Sequence, residues 1–205
     1  MRLQPLTAGP LQENAYLVWE GKRGFIIDPG DEPERILAAI EAAGFTPEAI
    51  YLTHAHFDHL GAVAELVRVL ELPVYLHPAD LPFYEHADVA AEVWGFSIKK
   101  PPPPSGFLKE GDALPFGGRG LFVPGHSPGH LVFYFPEAGL LFGGDLLFRG
   151  SVGRYDLPGA DEKALFASLA RVIQLPAETR VLPGHGPATT IAEEKRTNPF
   201  LAGLP

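Results

Sequence analysis

The sequence predicts an α+β protein in which two β-sheets pack on each other with helices outside, built from two similar halves. Three observations lead there. Strand-like runs and helical periods alternate over residues 14–76, strands dominate residues 107–148, and an amphipathic helix followed by another strand closes the second half. No repeat with a fixed period of roughly 20–50 residues is visible, which excludes solenoids and propellers.

The elements follow in order. Asn14–Trp19 and Phe25–Asp28 are short β-type runs around a turn bearing Gly21 and Gly24, a hairpin that ends in Asp28-Pro-Gly. Residues 33–43 begin with Pro33 at a first helical position, set Ile36, Leu37 and Ile40 on one face, and stop at Gly44. Ile50–Thr53 reads as a buried strand, residues 60–71 as a helix with Leu60, Val63, Leu66, Val67 and Leu70 in period, and Pro73–Leu76 as a further strand. Residues 78–106 read as a surface insertion in which the tetraproline 101–104 is a stiff extended connector. Strands return at Gly120–Val123, Leu131–Phe135 and Gly139–Phe142. Residues 161–174 form an amphipathic helix with Asp161 and Glu162 placed favourably for its dipole, then come the strand Thr179–Leu182 and a last helical piece, Thr190–Lys195. Phe200 and Leu201 are expected to pack the end down, and the 205 residues are read as one domain, 1–205.

Composition removes several function classes. The chain has no cysteine, so disulfide scaffolds, thiolate metal sites, iron–sulfur clusters and cysteine nucleophiles are excluded. With 25 acidic residues against 16 Lys and Arg, the net charge of −9 disfavours nucleic acid, whose sequence-independent binding needs cations on phosphates. The opening MRLQPLTAGP lacks the apolar core of a signal peptide, and no apolar stretch approaches the roughly 20 residues that span a bilayer; the expectation is a soluble, cytoplasmic protein without membrane contact. Gly and Pro are abundant, at 23 and 22, yet 46% hydrophobic residues argue for a folded protein with many tight turns.

Eight histidines are present, and five sit in Gly- or Asp-rich turns just after predicted strands. The densest group is Thr53-His-Ala-His-Phe-Asp-His59. Alternate side chains of an extended stretch share a face, so His54 and His56 project together, and Asp58 and His59 turn back as the next helix begins. Four such polar groups at the end of a hydrophobic strand carry a heavy desolvation cost unless a metal compensates. His126, Asp145 and His185 occur at later strand ends, each preceded by a glycine that lets loops crowd close to an ion. Five histidines and two carboxylates suit Zn, Fe or Mn, and are too many for one tetrahedral zinc. The reading is two divalent ions: His54, His56 and His126 on one, Asp58, His59 and His185 on the other, Asp145 bridging, and a hydroxide held between the ions as the nucleophile. Asp58 and Asp145 are the carboxylates with a catalytic role. His130 is read as a supporting residue, His77 and His86 as surface residues, and Asp28 as either a brace for the metal-binding turn or a residue shaping its own turn.

The strings Thr53-His-Ala-His-Phe-Asp-His-Leu-Gly61, Gly125-His-Ser-Pro-Gly-His130, Gly144-Asp145 and Pro183-Gly-His-Gly186 resemble the metallo-β-lactamase superfamily, and in particular its glyoxalase II-like branch (hydroxyacylglutathione hydrolases), in a short form. The resemblance runs from about residue 14 to 200. It implies an αββα four-layer sandwich of two packed mixed β-sheets with the metals at the sheets' upper edges, and its ligand roles fall on the same seven positions. It also implies a substrate contact at Arg154, where the family usually has Lys to meet the glycine carboxylate of glutathione. The family's next contact, a Tyr, falls at Asp156, another Tyr falls at Pro187, and the helical C-terminal domain of the family has no counterpart in the chain, so hydrolysis is supported more strongly than glutathione. Arg154 also reads as an ion-pair partner of Asp156.

Three functions follow as expectations. The first is hydrolysis of a small-molecule acyl thioester such as S-lactoylglutathione, because a thiolate with a parent pKa of about 8.5 leaves without an extra acid. The second is a mononuclear iron persulfide dioxygenase: the Thr53–His59 string and the segment Arg149-Gly-Ser-Val-Gly-Arg-Tyr-Asp156 resemble those of the related persulfide dioxygenases, a resemblance that implies one iron on His54, His126 and Asp145. The third is a non-catalytic, metal-stabilised binding module. The thiol carrier, the native metal and the oligomeric state are left open.

Overall fold

A computed structural model of the chain describes residues 1–204, which fall into two compact units divided after Leu108. In the first unit the strands β1 (Arg2–Ala8), β2 (Glu13–Glu20), β3 (Arg23–Ile27), β4 (Thr46–Tyr51), β5 (Val74–Leu76) and β6 (Gly106–Phe107) form one mixed sheet in that order. The first three are an antiparallel meander, and β4, β5 and β6 add parallel to it. Parallel addition needs crossovers, supplied by α1 (Pro33–Ala43) between β3 and β4 and by α2 (Val63–Leu70) between β4 and β5. Ile36 and Ile40 of α1 and Val63 and Leu66 of α2 are buried in one core with Leu17, Ile26, Ile50 and Leu52 of the strands and β4 edge. Burying each such side chain contributes about 1.5–3 kcal/mol, so the crossovers are held to the sheet by their apolar stripes.

The second unit repeats the scheme. A meander of β7 (Ala113–Leu114), β8 (Gly118–Phe122), β9 (Leu131–Phe135) and β10 (Leu140–Gly144) is followed by a small hairpin, β11 (Leu147–Phe148) with β12 (Ser151–Val152). The helix α5 (Glu162–Val172) then crosses to β13 (Arg180–Pro183), which pairs parallel with β10, and β14 (Thr189–Thr190) completes a sheet ordered β14-β13-β10-β9-β8-β7. Asp161 caps α5 by accepting the Ala164 N–H at 2.9 Å. Leu165, Leu169 and Val172 on its inner face join Val132, Leu141 and Val181 in the core of this unit.

The structure departs from the sequence-based expectations in several places: the strand expected at Ile50–Thr53 runs from Thr46 to Tyr51, the β11–β12 hairpin was not expected, and three further differences have clear physical reasons. Residues 2–8 form an edge strand that the pattern hides, because Pro5 interrupts the run; an edge strand tolerates a proline, whose missing N–H is not needed on the open side. The helix expected at 60–71 starts only at Val63, since Phe57–His59 form a separate single turn and Leu60 bonds back to Phe57. Residues 78–106 are no simple insertion. They hold two short helices, α3 (Leu81–Glu85) and α4 (Ala87–Val93), bury Tyr84 with its hydroxyl donating to the Pro102 carbonyl at 2.8 Å, and end in the strand that closes the sheet edge. No helix among the described residues is long and apolar enough to cross a membrane.

Candidate metal centre

In the first unit the donors follow β4 directly. His54 and His59 are fully buried, and their rings lie 4.1 Å apart, centroid to centroid; His56 and Asp58 are half-buried, with the His56 ring 4.7 Å from that of His54. The loop is stretched between two buried carboxylates. Asp28, just past the end of β3, accepts the Thr53 N–H at 2.7 Å and the Thr53 hydroxyl at 2.6 Å, and Asp80 accepts the Ala55 N–H at 2.9 Å. The main chain on either side of His54 is thereby fixed. Asp28 sits in the left-handed region at φ 46°, a conformation Asp tolerates better than most residues.

These bonds also set which ring nitrogen carries the proton. The single hydroxyl hydrogen of Thr53 goes to the Asp28 carboxylate, so at 3.1 Å the Thr53 oxygen accepts from Nδ1–H of His54. Nδ1–H of His59 faces the Asp28 carboxylate at 3.3 Å, and the buried Glu13 carboxylate lies 3.7 Å from the same nitrogen. In both rings the lone pair is therefore on Nε2, the arrangement that a metal-ligating histidine takes when its other nitrogen is held by a carboxylate or hydroxyl. Nε2 of His59 is 3.9 Å from Oδ2 of Asp58. Ligand-type atoms of Asp28, His54 and His59 all lie within 4.8 Å of one another.

In the second unit His126 follows β8, Asp145 follows β10 and His185 follows β13. Oδ2 of Asp145 is 3.6 Å from Nε2 of His126 and 3.7 Å from Nε2 of His185. Both exceed a hydrogen bond and approach the separation of about 3.4 Å between two donors bound to one tetrahedral cation at about 2.1 Å. Nδ1–H of His126 donates to the Arg154 carbonyl at 2.8 Å, which again puts the lone pair on Nε2. The segment that supplies this carbonyl must pass under Asp145: a Cβ on Gly153 would stand 1.8 Å from the Asp145 carbonyl oxygen, so only glycine fits. The Gly184 N–H donates to the Gly144 carbonyl at 2.8 Å, tying the His185 loop to the Asp145 loop. His130 is buried with its ring 5.8 Å from that of His126.

The Arg154 side chain is engaged elsewhere. Its guanidinium forms a two-pronged ion pair with Asp156, at 2.9 and 3.0 Å, on the exposed surface. The hydrogen bond between them raises the Arg154 pKa and holds the Asp156 carboxyl below the usual carboxylate range. His86 is exposed and bonds the Pro82 carbonyl, and His77 is half-buried and accepts from Ala79 N–H. Asp80, Glu13 and Gly153 were not among the expected site residues. Their signal is absent from any local pattern, because the residues they hold lie 8 to 46 positions away.

The sequence profile described as the Metallo-beta-lactamase superfamily matches residues 8–185. The chain belongs to the metallo-β-lactamase superfamily. It has that superfamily's α+β fold, with two mixed sheets and helices, and stands among its metallo-hydrolases. It is 40% identical to the "Probable metallo-hydrolase YqgX" of Bacillus subtilis, over all of this chain and 99% of the relative. It is 36% identical to "Hydroxyacylglutathione hydrolase GloC" of Haemophilus influenzae, over 96% of this chain and 95% of the relative. Among solved structures, the crystal structure of TTHA1623 in a di-iron-bound form is 66% identical and superposes with a TM-score of 0.94, over 97% of this chain and 100% of that one. The superfamily chain's buried imidazoles with proton-fixed tautomers and its carboxylates are nitrogen and oxygen donors that fit two divalent cations, zinc or iron.

Proposed function

We propose that the chain is a dinuclear metal hydrolase that cleaves an acyl thioester of the S-lactoylglutathione kind, within a single domain spanning 1–205. His54, His56 and His126 would hold one cation, Asp58, His59 and His185 would hold the other, and Asp145 would serve both. The observation that carries this reading is the position of Asp145 Oδ2, 3.6 Å from His126 Nε2 and 3.7 Å from His185 Nε2, one oxygen flanked by histidines assigned to different ions. When bound, two such cations bring the pKa of a shared water toward neutrality and polarise the carbonyl under attack. The chain's own residues do the positioning. Asp28 and Thr53 fix the His54 and His59 tautomers, the Arg154 carbonyl fixes His126, and burial of these imidazoles keeps bulk water from competing for their lone pairs.

A thioester fits this set because its thiolate departs without a proton donor, whereas an amide needs one. The similarity to the hydroxyacylglutathione hydrolase GloC supports the same substrate class. Arg154 contacts a carboxylate of the thiol carrier by exchanging Asp156 for it, a swap that its exposed position permits. We read the substrate as a small soluble molecule and the protein as cytoplasmic. That the chain carries Asp58, His59 and His185 in addition to the other donors favours two ions over the one-iron dioxygenase reading, which leaves those three without a role.

Metal analysis with a thioester panel tests this. Two equivalents of metal and turnover of S-lactoylglutathione or a related thioester are expected, with Asp145→Asn losing about 100-fold or more in activity and metal affinity. A metal-replete preparation that cleaves no thioester overturns it.

A further inference from the structure

β4 keeps its sheet hydrogen bonds as far as Leu52, whose N–H donates to the Tyr75 carbonyl of β5 at 2.9 Å. Backbone N–H groups that leave a sheet still need partners. On the ligand loop those partners are carboxylates. The Thr53 N–H goes to Asp28, which follows β3, and the Ala55 N–H goes to Asp80, in the single turn Pro78–Asp80 that follows β5. Each strand beside β4 thus sends one buried acid to the loop. The two acids reach different donors. Asp28 acts on His54, through Thr53, and on Nδ1 of His59, whereas Asp80 holds the peptide group that joins His54 to Ala55, one residue before His56.

Asp80 also directly precedes α3, where an aspartate ordinarily accepts an N–H of the helix's first turn. Its side chain makes no such bond. A polar group removed from water costs free energy unless it is hydrogen-bonded, and the fully buried Asp80 carboxylate turns to the ligand loop and not to its own helix. α3 adds a second contact. The Phe83 ring meets the His56 ring edge to face, 6.2 Å between centroids and 74° between planes. Tyr84 beside it is buried and donates to the Pro102 carbonyl at 2.8 Å, which fixes α3 in turn. His54 and His59 are enclosed by the fold, while His56 is half-buried and takes its orientation from these neighbours. We infer that Asp80 is a positioning residue for His56, that Phe83 completes the support, and that the two set the affinity for the ion proposed on His54 and His56 without setting that for the ion on Asp58 and His59. The inference rests on the dinuclear reading above.

The test titrates the metal-free protein with zinc against a chromophoric chelator and resolves two binding steps. Asp80→Ala should weaken one step about 10- to 100-fold and leave the other within about threefold. Phe83→Ala should weaken the same step about two- to tenfold. His56→Ala identifies that step, and adding Asp80→Ala to it should cost little more, because the two changes remove one interaction. Equal weakening of both steps, as a general loosening of the fold would give, or wild-type affinities in Asp80→Ala, overturns the inference and leaves the dinuclear reading standing. Should Asp80→Ala fail to fold, Phe83→Ala decides: a loss confined to the His56 step supports the inference, and an even loss or none overturns it. If the native protein takes up a single ion, the dinuclear reading fails, and histidine-ring NMR of the metal-free protein decides the positioning role by itself. Asp80→Ala or Phe83→Ala that shifts the His56 ring signals and leaves those of His59 in place supports it; equal shifts in both rings, or none, overturn it.

Discussion

Oδ2 of Asp28 accepts the Thr53 hydroxyl at 2.6 Å, and through that one bond a carboxylate at the end of β3 decides the tautomer of His54, a residue 26 positions further on. The same oxygen stands 3.3 Å from Nδ1 of His59. Asp28 is thus the brace on which two of the four donors in the His-x-His-x-Asp-His string depend.

Replacing it with Asn should show this. An amide keeps one acceptor oxygen and turns its NH2 toward groups that are themselves donors, so Asp28→Asn should weaken metal affinity about 10- to 100-fold. Folding stability should fall by about 1–3 kcal/mol through the buried donors left unsatisfied. Competition with a metal chelator and denaturant titration of the apo form measure the two effects separately.

Glu194 supports the second unit in a comparable way. It is fully buried on α6 (Ile191–Thr197), where its carboxylate accepts from the Gly150 N–H at 2.8 Å, the Asn198 side chain at 2.8 Å and the Thr189 hydroxyl at 2.5 Å. Asn198 also donates to the Ser151 carbonyl at 3.0 Å, so α6 clamps the β11–β12 hairpin that follows Asp145. Glu194→Ala should cost about 3 kcal/mol or more, since buried partners are orphaned together. Chemical denaturation reads this directly, and a loss below about 1 kcal/mol would show that the clamp is dispensable.

Arg154 has two separable functions, one in its side chain and one in its carbonyl. Arg154→Ala and Asp156→Ala should leave the melting temperature nearly unchanged, because the pair is exposed and screened. With a thioester whose thiol carrier bears a carboxylate, Arg154→Ala should raise KM and Asp156→Ala should lower it. Metal content should stay the same in both, since His126 is held by the residue 154 carbonyl whatever the side chain.

The Glu65 carboxyl is held down to about 2, from an ordinary 4.5, by hydrogen bonds from Arg68 and Lys99. A carboxylate with a lowered folded pKa contributes its stability above the ordinary value and loses it as the pH falls from 4.5 toward 2. Thermal melts across that window should show a steeper decline for the native protein than for Glu65→Gln, and added salt should narrow the difference.

The amino-acid pattern shows the candidate donors and hides the residues that hold them. Four donors within six positions after a hydrophobic strand are legible because strand period and donor chemistry are local properties. So are Ile36 and Ile40, or Leu165 and Leu169, whose helical spacing marks the buried face of each crossover. Asp80 was not legible, because it acts on Ala55 from 25 residues away and nothing beside it marks it as buried. Arg154 suggested an ionic contact through its charge, while its carbonyl, which no sequence pattern distinguishes, is the part that holds His126. The helices within 81–93 escaped because at 5 and 7 residues neither is long enough to display a period.

Anomalous diffraction from a crystal grown with zinc or iron tests the central claim most directly. The account predicts two peaks about 3.5–4 Å apart, both bound by the carboxylate of Asp145, with His54, His56 and His126 around one and Asp58, His59 and His185 around the other. A single peak, or peaks that Asp145 does not touch, would contradict it.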